Sequence, residues 1–285
     1  MNTIITAEEE KTVVHMLSKH YPETSQAQFR RWLEAKRIAL NGFIENSLKR
    51  EVSQGDIISI LPRSRALSDG VTELYSDQDI IVIYKPYQLL SVALNKGTAR
   101  HAHQIIKESY PRQRIYVVHR LDEGTSGVML FCRTERSYEK LKEMFYHHNL
   151  QREYVAVVEG HLTEKKGVWK HRLIQDKNYH MHVTKKGGVE AITHYEVLTE
   201  SKRVSLLKLT LHTGKKNQIR VQCSHEGIPI IGDKKYGSQM RFKRVCLHAS
   251  DLVFEHPCRE GKIMRFHLPL PGEFCQFVSK GYSYA

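Results

Sequence analysis

Residues 119–127 read HRLDEGTSG and are wedged between two apolar runs, YVV before them and VMLF after them. Short apolar runs rich in branched side chains read as strands, so the polar stretch must be a loop at the end of a sheet. Loops held by a rigid sheet are where binding and catalytic side chains gather. Asp122 is flanked there by Arg120 and by the turn-forming run Gly124, Thr125, Ser126, Gly127. Taken alone, an Asp before such a turn is as readily a turn cap as a reacting group.

Further strand-like segments cover residues 80–84, 116–119, 127–132, 153–158, 191–198 and 206–212. In the last, Leu207, Leu209 and Leu211 alternate with Lys208, Thr210 and His212, the period of a strand with one buried face. Helical spacing covers residues 135–147, with Tyr138, Leu141, Met144 and Phe145 on one side, and residues 215–223. Irregular alternation of many strands with few helices predicts an α+β domain over residues 73–285, with a mixed, mainly antiparallel central sheet and flanking helices. A second polar stretch, TGKKNQIRVQCSHEGIPIIGDKKYG at 213–237, reads as another wall of a site. Arg220 is the expected partner of Asp122, because a guanidinium can hold a carboxylate ionised through two parallel contacts. A surface phosphate contact is its other reading, and Lys215 and Lys216 suit phosphate contacts or plain solvated charges.

The first 62 residues form a predicted small domain, followed by a linker at 63–72 within PRSRALSDG. A helix over 7–20 carries Val13, Met16 and Leu17 on one face, and a second starts at Thr24 or Ser25 and carries Phe29, Trp32 and Leu33. Arg30, Arg31, Lys36 and Arg37 are assigned to the opposite face of that second helix. A strand at 38–40, an Asn-Gly turn at 41–42 and a strand at 57–61 complete the unit. Basic helix faces are most often merely solvated. Here the order of basic helix, ALNG and GDIISI resembles the small RNA-binding module first recognised in ribosomal small-subunit protein four, which implies an RNA-gripping helix.

Lys and Arg total 44 against 31 acidic residues, a formal charge of +13, which favours a polyanionic partner: RNA, DNA or an acidic membrane surface. Apolar runs fall far short of the roughly 20 residues of a membrane span. Residues 1–10 hold three successive acidic residues and no basic segment leading into an apolar core, so a cytoplasmic location is expected. Five cysteines at irregular spacing, Cys132, Cys223, Cys246, Cys258 and Cys275, without CxxC, predict reduced thiols rather than a disulfide framework or zinc ribbon. Cys223-x-His225 and Cys246-x-His248 lack the tight loop spacing of metal sites, so no metal is expected. Neither GxGxxG nor GxxxxGK[ST] occurs, and no cofactor is expected.

HRLDEGTSG, REYVAVVEG at 152–160, TGKKNQIR at 213–220, GIPIIGDKKYG at 227–237 and LHASDLVFEHP at 247–257 resemble, in order, the RluA-type family of pseudouridine synthases. The resemblance implies the pseudouridine synthase fold and cofactor-free isomerisation of uridine in structured RNA, and a monomer is expected. It places Asp122 on the catalytic aspartate, Tyr154 on the tyrosine that lies against the target base, and Arg220 on the arginine that pairs with the aspartate. Ile219 falls on an apolar residue lining the same pocket; Arg120, Thr125, Lys215, Lys216 and Asn217 are the expected substrate contacts. Family precedent favours large-subunit ribosomal RNA, with transfer RNA as the alternative. The family usually reads TGRTHQIR, so Lys216 and Asn217 stand where Thr and His are usual. Tyr84 stands where Asn is usual, and Tyr87-Gln88 where a small residue and Gly are usual. None of these is Asp122, Tyr154 or Arg220, so the departures bear on RNA choice rather than on reaction type.

The reaction breaks a C–N glycosidic bond, turns the base over and forms a C–C bond. A carboxylate beside the sugar serves either as nucleophile at the anomeric carbon or as base at the neighbouring ribose carbon, and the sequence leaves both open. A stacked base must be flipped out to be reached. Two rival readings are a non-catalytic RNA-binding assembly factor, which explains the charge but not the residues around Asp122, and an RNA N-glycosidase that releases uracil.

Overall fold

The computed structural model describes residues 3–41, 43–61, 64–93 and 99–277. Gly42 of the expected Asn-Gly turn, residues 62–63 at the expected domain boundary, and the two ends of the chain lie outside the described residues.

Residues 3–61 build around their own apolar cluster, in which Val13, Met16, Leu17, Phe29, Ile38 and Ile58 are fully or almost fully buried. Each such side chain contributes about 2 kcal/mol when removed from water. The elements are β1 (Thr3–Thr6), β2 (Lys11–Thr12), α1 (Val13–His20), α2 (Gln26–Glu34), β3 (Ile38–Leu40), β4 (Phe43–Ile44), β5 (Glu51–Val52) and β6 (Ile57–Ile60). Sheet order is β1-β6-β3-β4, with β2 paired to β5. The first helix begins at Val13 rather than at residue 7, because residues 3–6 pair with β6 and the Thr12 hydroxyl caps the helix by accepting from the His15 N–H. Ser25 caps α2 as expected, accepting from the Gln28 N–H. That helix ends at Glu34, which removes Lys36 and Arg37 from its basic face: Lys36 takes a left-handed φ of 53°, and Arg37 donates from Nε to the Leu61 carbonyl and lies over Trp32. The Asn41 amide donates to Asp56 and accepts from the Ile57 N–H, both at 2.8 Å, so the residue that opens the Asn-Gly pair is bonded to the Gly55-Asp56 turn before β6.

The larger part holds β7 (Arg65–Ala66), β8 (Thr72–Ser76), β9 (Ile80–Lys85), α3 (Ala102–Ser109), β10 (Tyr116–Val117), β11 (Ser126–Cys132), α4 (Glu135–Tyr146) and β12 (Gln151–Glu159). It continues through β13 (Lys166–Gln175), β14 (Met181–Thr184), β15 (Val189–Ser201), β16 (Val204–Leu211), α5 (Gln218–His225), β17 (Leu247–Glu255) and β18 (Ile263–His267). One 12-stranded sheet runs β14-β13-β15-β16-β12-β17-β11-β9-β8-β7, with β10 beside β11 and β18 beside β17. The mixed, mainly antiparallel α+β architecture expected from the sequence is what forms. Residues 65–72, read as linker, differ from that reading: Arg65 and Ala66 pair with Glu73 and Thr72, and Ser68–Gly70 is the turn of this edge hairpin.

The joint between β11 and β17 is parallel, while the other pairings of the sheet are antiparallel. It brings the starts of two strands side by side, so the loops that precede them emerge at one sheet end. Gly127 pairs with Ala249, and Ala249 with Tyr154 on β12, giving a row across three strands. A Cβ on Gly127, whose φ is 133°, would lie 2.3 Å from the Ala249 carbonyl oxygen. Glycine is therefore required for the strands to close.

Candidate active site

The loop carrying Asp122 is anchored from below. Thr125 donates its N–H to the Asp122 carbonyl at 3.0 Å, closing a four-residue turn, and its side chain is buried, so Thr125 shapes the loop rather than facing a ligand. Ser91 clamps the preceding residue, donating to the Leu121 carbonyl at 2.6 Å and accepting from the Leu121 N–H at 3.0 Å. Lys85 is fully buried, and its ammonium donates to the carbonyls of Pro86, Leu89 and Glu123. Burial pushes that amine down to about 7, with the charge of Asp122 opposing the fall. Gln88, where glycine was expected, takes a φ of 60° and donates its N–H to the Glu123 carbonyl. Tyr87 lies against the Arg244 guanidinium, 4.4 Å from ring to cation. Arg244 in turn donates to the Ser126 hydroxyl at 2.6 Å, at the start of β11. The Tyr87-Gln88 departure thus belongs to the support of the loop.

His119 is also structural. Its Nε2 accepts from the Leu130 N–H at 2.9 Å and its ring stacks on Phe145. Burial pushes its pKa down to about 3, so it is neutral at physiological pH. Arg120 is exposed on the same loop.

The opposing wall is the turn before α5. Gln218 is buried, accepts from the Thr213 hydroxyl and the Lys215 N–H, and donates to the Ile192 carbonyl and Thr193 hydroxyl of β15. These bonds fix the turn, and Asn217 at its crest adopts a left-handed φ of 52°, which Asn tolerates better than most residues. The Asn217 amide nitrogen then faces Asp122, at 2.8 Å from Oδ2 and 3.1 Å from Oδ1, while its oxygen accepts from the Tyr236 hydroxyl at 2.9 Å. The reverse orientation would set an amide oxygen against two carboxylate oxygens. Asn217, read as a departure bearing on RNA choice, therefore sits on the carboxylate itself.

Arg220, one turn further along α5, donates to Asp122 Oδ2 at 3.4 Å. Its two parallel contacts go instead to Asp233, Nε to Oδ2 at 2.6 Å and Nη2 to Oδ1 at 2.8 Å. Burial alone would lower the Arg220 pKa, but Asp233, with help from Asp122, raises it above its ordinary value. The expected Arg220–Asp122 pair exists as a single long contact, and the bidentate partner is a residue that sequence reasoning missed. Asp233 has a side chain 1% exposed, whereas that of Asp122 is 30% exposed, so one aspartate anchors the arginine and the other is left open to solvent.

Tyr154 projects from β12 into the apolar cluster that also contains Ile219. Burial raises its phenol to about 12, with Asp122 adding to the rise and Arg152 opposing it, so the hydroxyl keeps its proton at neutral pH. Lys215 and Lys216 are exposed beside the turn, and Lys216 approaches the Tyr179 ring. Among the described residues, Asp77, Asp79 and His256 are the group with ligand-type atoms close together. The Asp77 carboxylate is already committed to the Tyr75 hydroxyl, the His256 ring and two backbone N–H groups.

Residues 79–225 match the family described as RNA pseudouridylate synthase. The chain is 31% identical to the ribosomal large subunit pseudouridine synthase D of Haemophilus influenzae, over 92% of this chain and 89% of that one. It is 29% identical to the protein of the same name from Escherichia coli K12, over 92% and 88%. An uncharacterised RNA pseudouridine synthase of Bacillus subtilis is 29% identical over 98% of both chains. In fold it is similar to human RNA pseudouridylate synthase domain containing 4, with a TM-score of 0.59 at 22% identity over 71% of this chain and 90% of that one. Among the described residues no helix is long and apolar enough to cross a membrane.

Proposed function

The chain belongs to the RluA-type family of RNA pseudouridine synthases, and from that premise we propose that it isomerises uridine in large-subunit ribosomal RNA, with Asp122 as the reacting carboxylate. It is an enzyme acting on RNA. The ribosomal target is supported by the names of its relatives from Haemophilus and Escherichia. A cytoplasmic, monomeric enzyme is consistent with that work.

The observation that carries the assignment is the unequal treatment of two aspartates that share Arg220. Asp233 is sealed in and takes the bidentate contact, while Asp122 is held by Asn217 and one guanidinium N–H and keeps an open side. A carboxylate so oriented can approach the anomeric carbon or the neighbouring ribose proton. The C1′–N1 bond breaks, the base turns, and C1′–C5 forms; C5 loses a proton and N1 ends protonated, so the product has the mass of the substrate. Tyr154, protonated, lies on the face of the flipped base, and Ile219 helps keep water from the detached base. Arg120 and Lys215 supply contacts to the RNA around it, as does Lys216.

Asp122→Asn tests the reading. We expect no pseudouridine in transcribed ribosomal RNA, with RNA affinity nearly unchanged; full activity in that variant would remove Asp122 from the mechanism. Abasic sites in place of a carbon-linked base would favour glycosidase chemistry.

For residues 1–62 the proposed role is backbone gripping through Arg30 and Arg31, both exposed on α2. Deleting residues 1–65 is expected to weaken RNA binding and flatten its salt dependence.

A further inference from the structure

Arg152 opens the REYVAVVEG segment and is 8% exposed, yet its Nε and Nη2 have no hydrogen-bond partner among the described residues. Among the described residues no carboxylate forms a salt bridge with it. Its guanidinium instead lies over the Phe145 ring at 5.6 Å. Burial lowers its pKa, and the opposing influence is the Tyr154 phenol rather than a carboxylate. A buried cation left without an acid is destabilising, so such a group points to a partner that arrives from outside.

The surroundings identify the kind of partner. Gly214 lies against this cation: a Cβ there would fall 2.4 Å from Arg152 Nη1, so an added methyl would push the guanidinium aside. Lys215 follows on that loop. Just beyond α4, His148 has an Nδ1 without a partner among the described residues and a ring 5.3 Å from that of His212. Burial lowers the His148 pKa, and Arg152, His212 and Lys215 lower it further, which places all four groups in one neighbourhood of positive sign. Along β12, Arg152 and Tyr154 share a sheet face about 7 Å apart. Tyr154 feels the charges of both Arg152 and Asp122. A nucleotide whose base meets Tyr154 therefore brings its own backbone to Arg152.

We propose that Arg152, with Lys215, His148 and His212 around it, binds a phosphodiester of the RNA backbone flanking the flipped uridine. The guanidinium lies between Phe145 and the Gly214 loop, and its Nε and Nη2 N–H groups, closed to solvent in the free protein, suit two oxygens of one phosphate once RNA opens that edge. The proposal deepens the reading of this cleft as an RNA site and rests on it.

The test measures binding of transcribed large-subunit ribosomal RNA over a range of KCl concentrations, alongside pseudouridine formation in the same RNA. Arg152→Met should bind about tenfold more weakly and lower the salt slope by about one phosphate contact. Arg152→Lys should recover part of the affinity and the full slope. Gly214→Ala, which displaces the guanidinium while leaving Arg152 in place, should act in the same direction, and it serves where Arg152→Met does not fold. Equal affinity and equal slope in a folded Arg152→Met or Gly214→Ala variant would overturn the proposal. A wild-type protein that makes no pseudouridine yet loses a phosphate contact with Arg152 would instead count against the catalytic reading and leave the phosphate site standing.

Discussion

Arg220 grips Asp233 with two contacts of 2.6 and 2.8 Å and reaches Asp122 with one of 3.4 Å. The arginine is thus a half-buried strut whose free edge is offered to the carboxylate proposed to react. Asp233→Ala should be costly twice over. Leaving the guanidinium without its buried partner destabilises the fold by about 3–5 kcal/mol, and the freed side chain no longer holds its edge toward Asp122. We expect a lowered unfolding midpoint in urea and a fall in kcat of roughly 100-fold. A variant with wild-type kcat would show that Asp233 has no part in setting the site.

Asn217 gives a separable prediction, because it touches Asp122 without any part in a buried ion pair. Asn217→Ala removes both contacts to the carboxylate and places alanine in a left-handed conformation, which costs about 1 kcal/mol. The expected kcat is roughly tenfold lower, with KM for RNA close to wild type. Asn217→His, the usual family residue, should keep more activity than the alanine variant. An alanine variant that raised KM and spared kcat would make Asn217 an RNA contact instead.

Asp122, Tyr154 and Arg220 each stand in a distinctive local string, and the structure sets Arg220 against Asp122 and Tyr154 within reach of its charge, while their roles stay proposals. Asp233 was not legible: it sits in a Gly-Asp pair that reads like the Gly55-Asp56 turn, and nothing local shows that it is buried beneath Arg220. Lys85 was equally hidden, since a lysine before proline reads as the exposed end of a strand. Strand β13 escaped for a different reason. Its well-buried residues are Trp169 and Leu173, four apart, so its apolar signal has helical spacing although the chain is extended. The basic run of residues 30–37 misled in the opposite sense, because charge spacing continued past the residue where the helix stops.

Burial raises the Tyr154 phenol to about 12, so in the proposed reaction it would act through its ring and a neutral hydroxyl. Tyr154→Phe preserves the ring and should leave RNA affinity within about twofold while lowering kcat by 100-fold or more, the scale of a lost proton-transfer partner. The wild-type rate should show no alkaline limb from this phenol between pH 6 and 10. Should Tyr154→Phe turn over at the wild-type rate, the hydroxyl would have no part in the reaction.

Lys85 makes the support of the Asp122 loop visible in stability. Its pKa is about 7 in the fold and about 10.4 when unfolded. The unfolded chain therefore binds the extra proton between these values, and stability from this group rises with pH across that window. Below about pH 7 both states are protonated and the burial cost is paid in full. Lys85→Met lacks this titration, though it leaves three carbonyls without their donor and should be less stable at every pH. Urea unfolding at pH 7, 8 and 9 should show the advantage of wild type over Lys85→Met widening by about 2 kcal/mol across the series. Parallel stability curves would mean that Lys85 holds an ordinary pKa in the fold and that its charge does not respond to the burial beneath the loop.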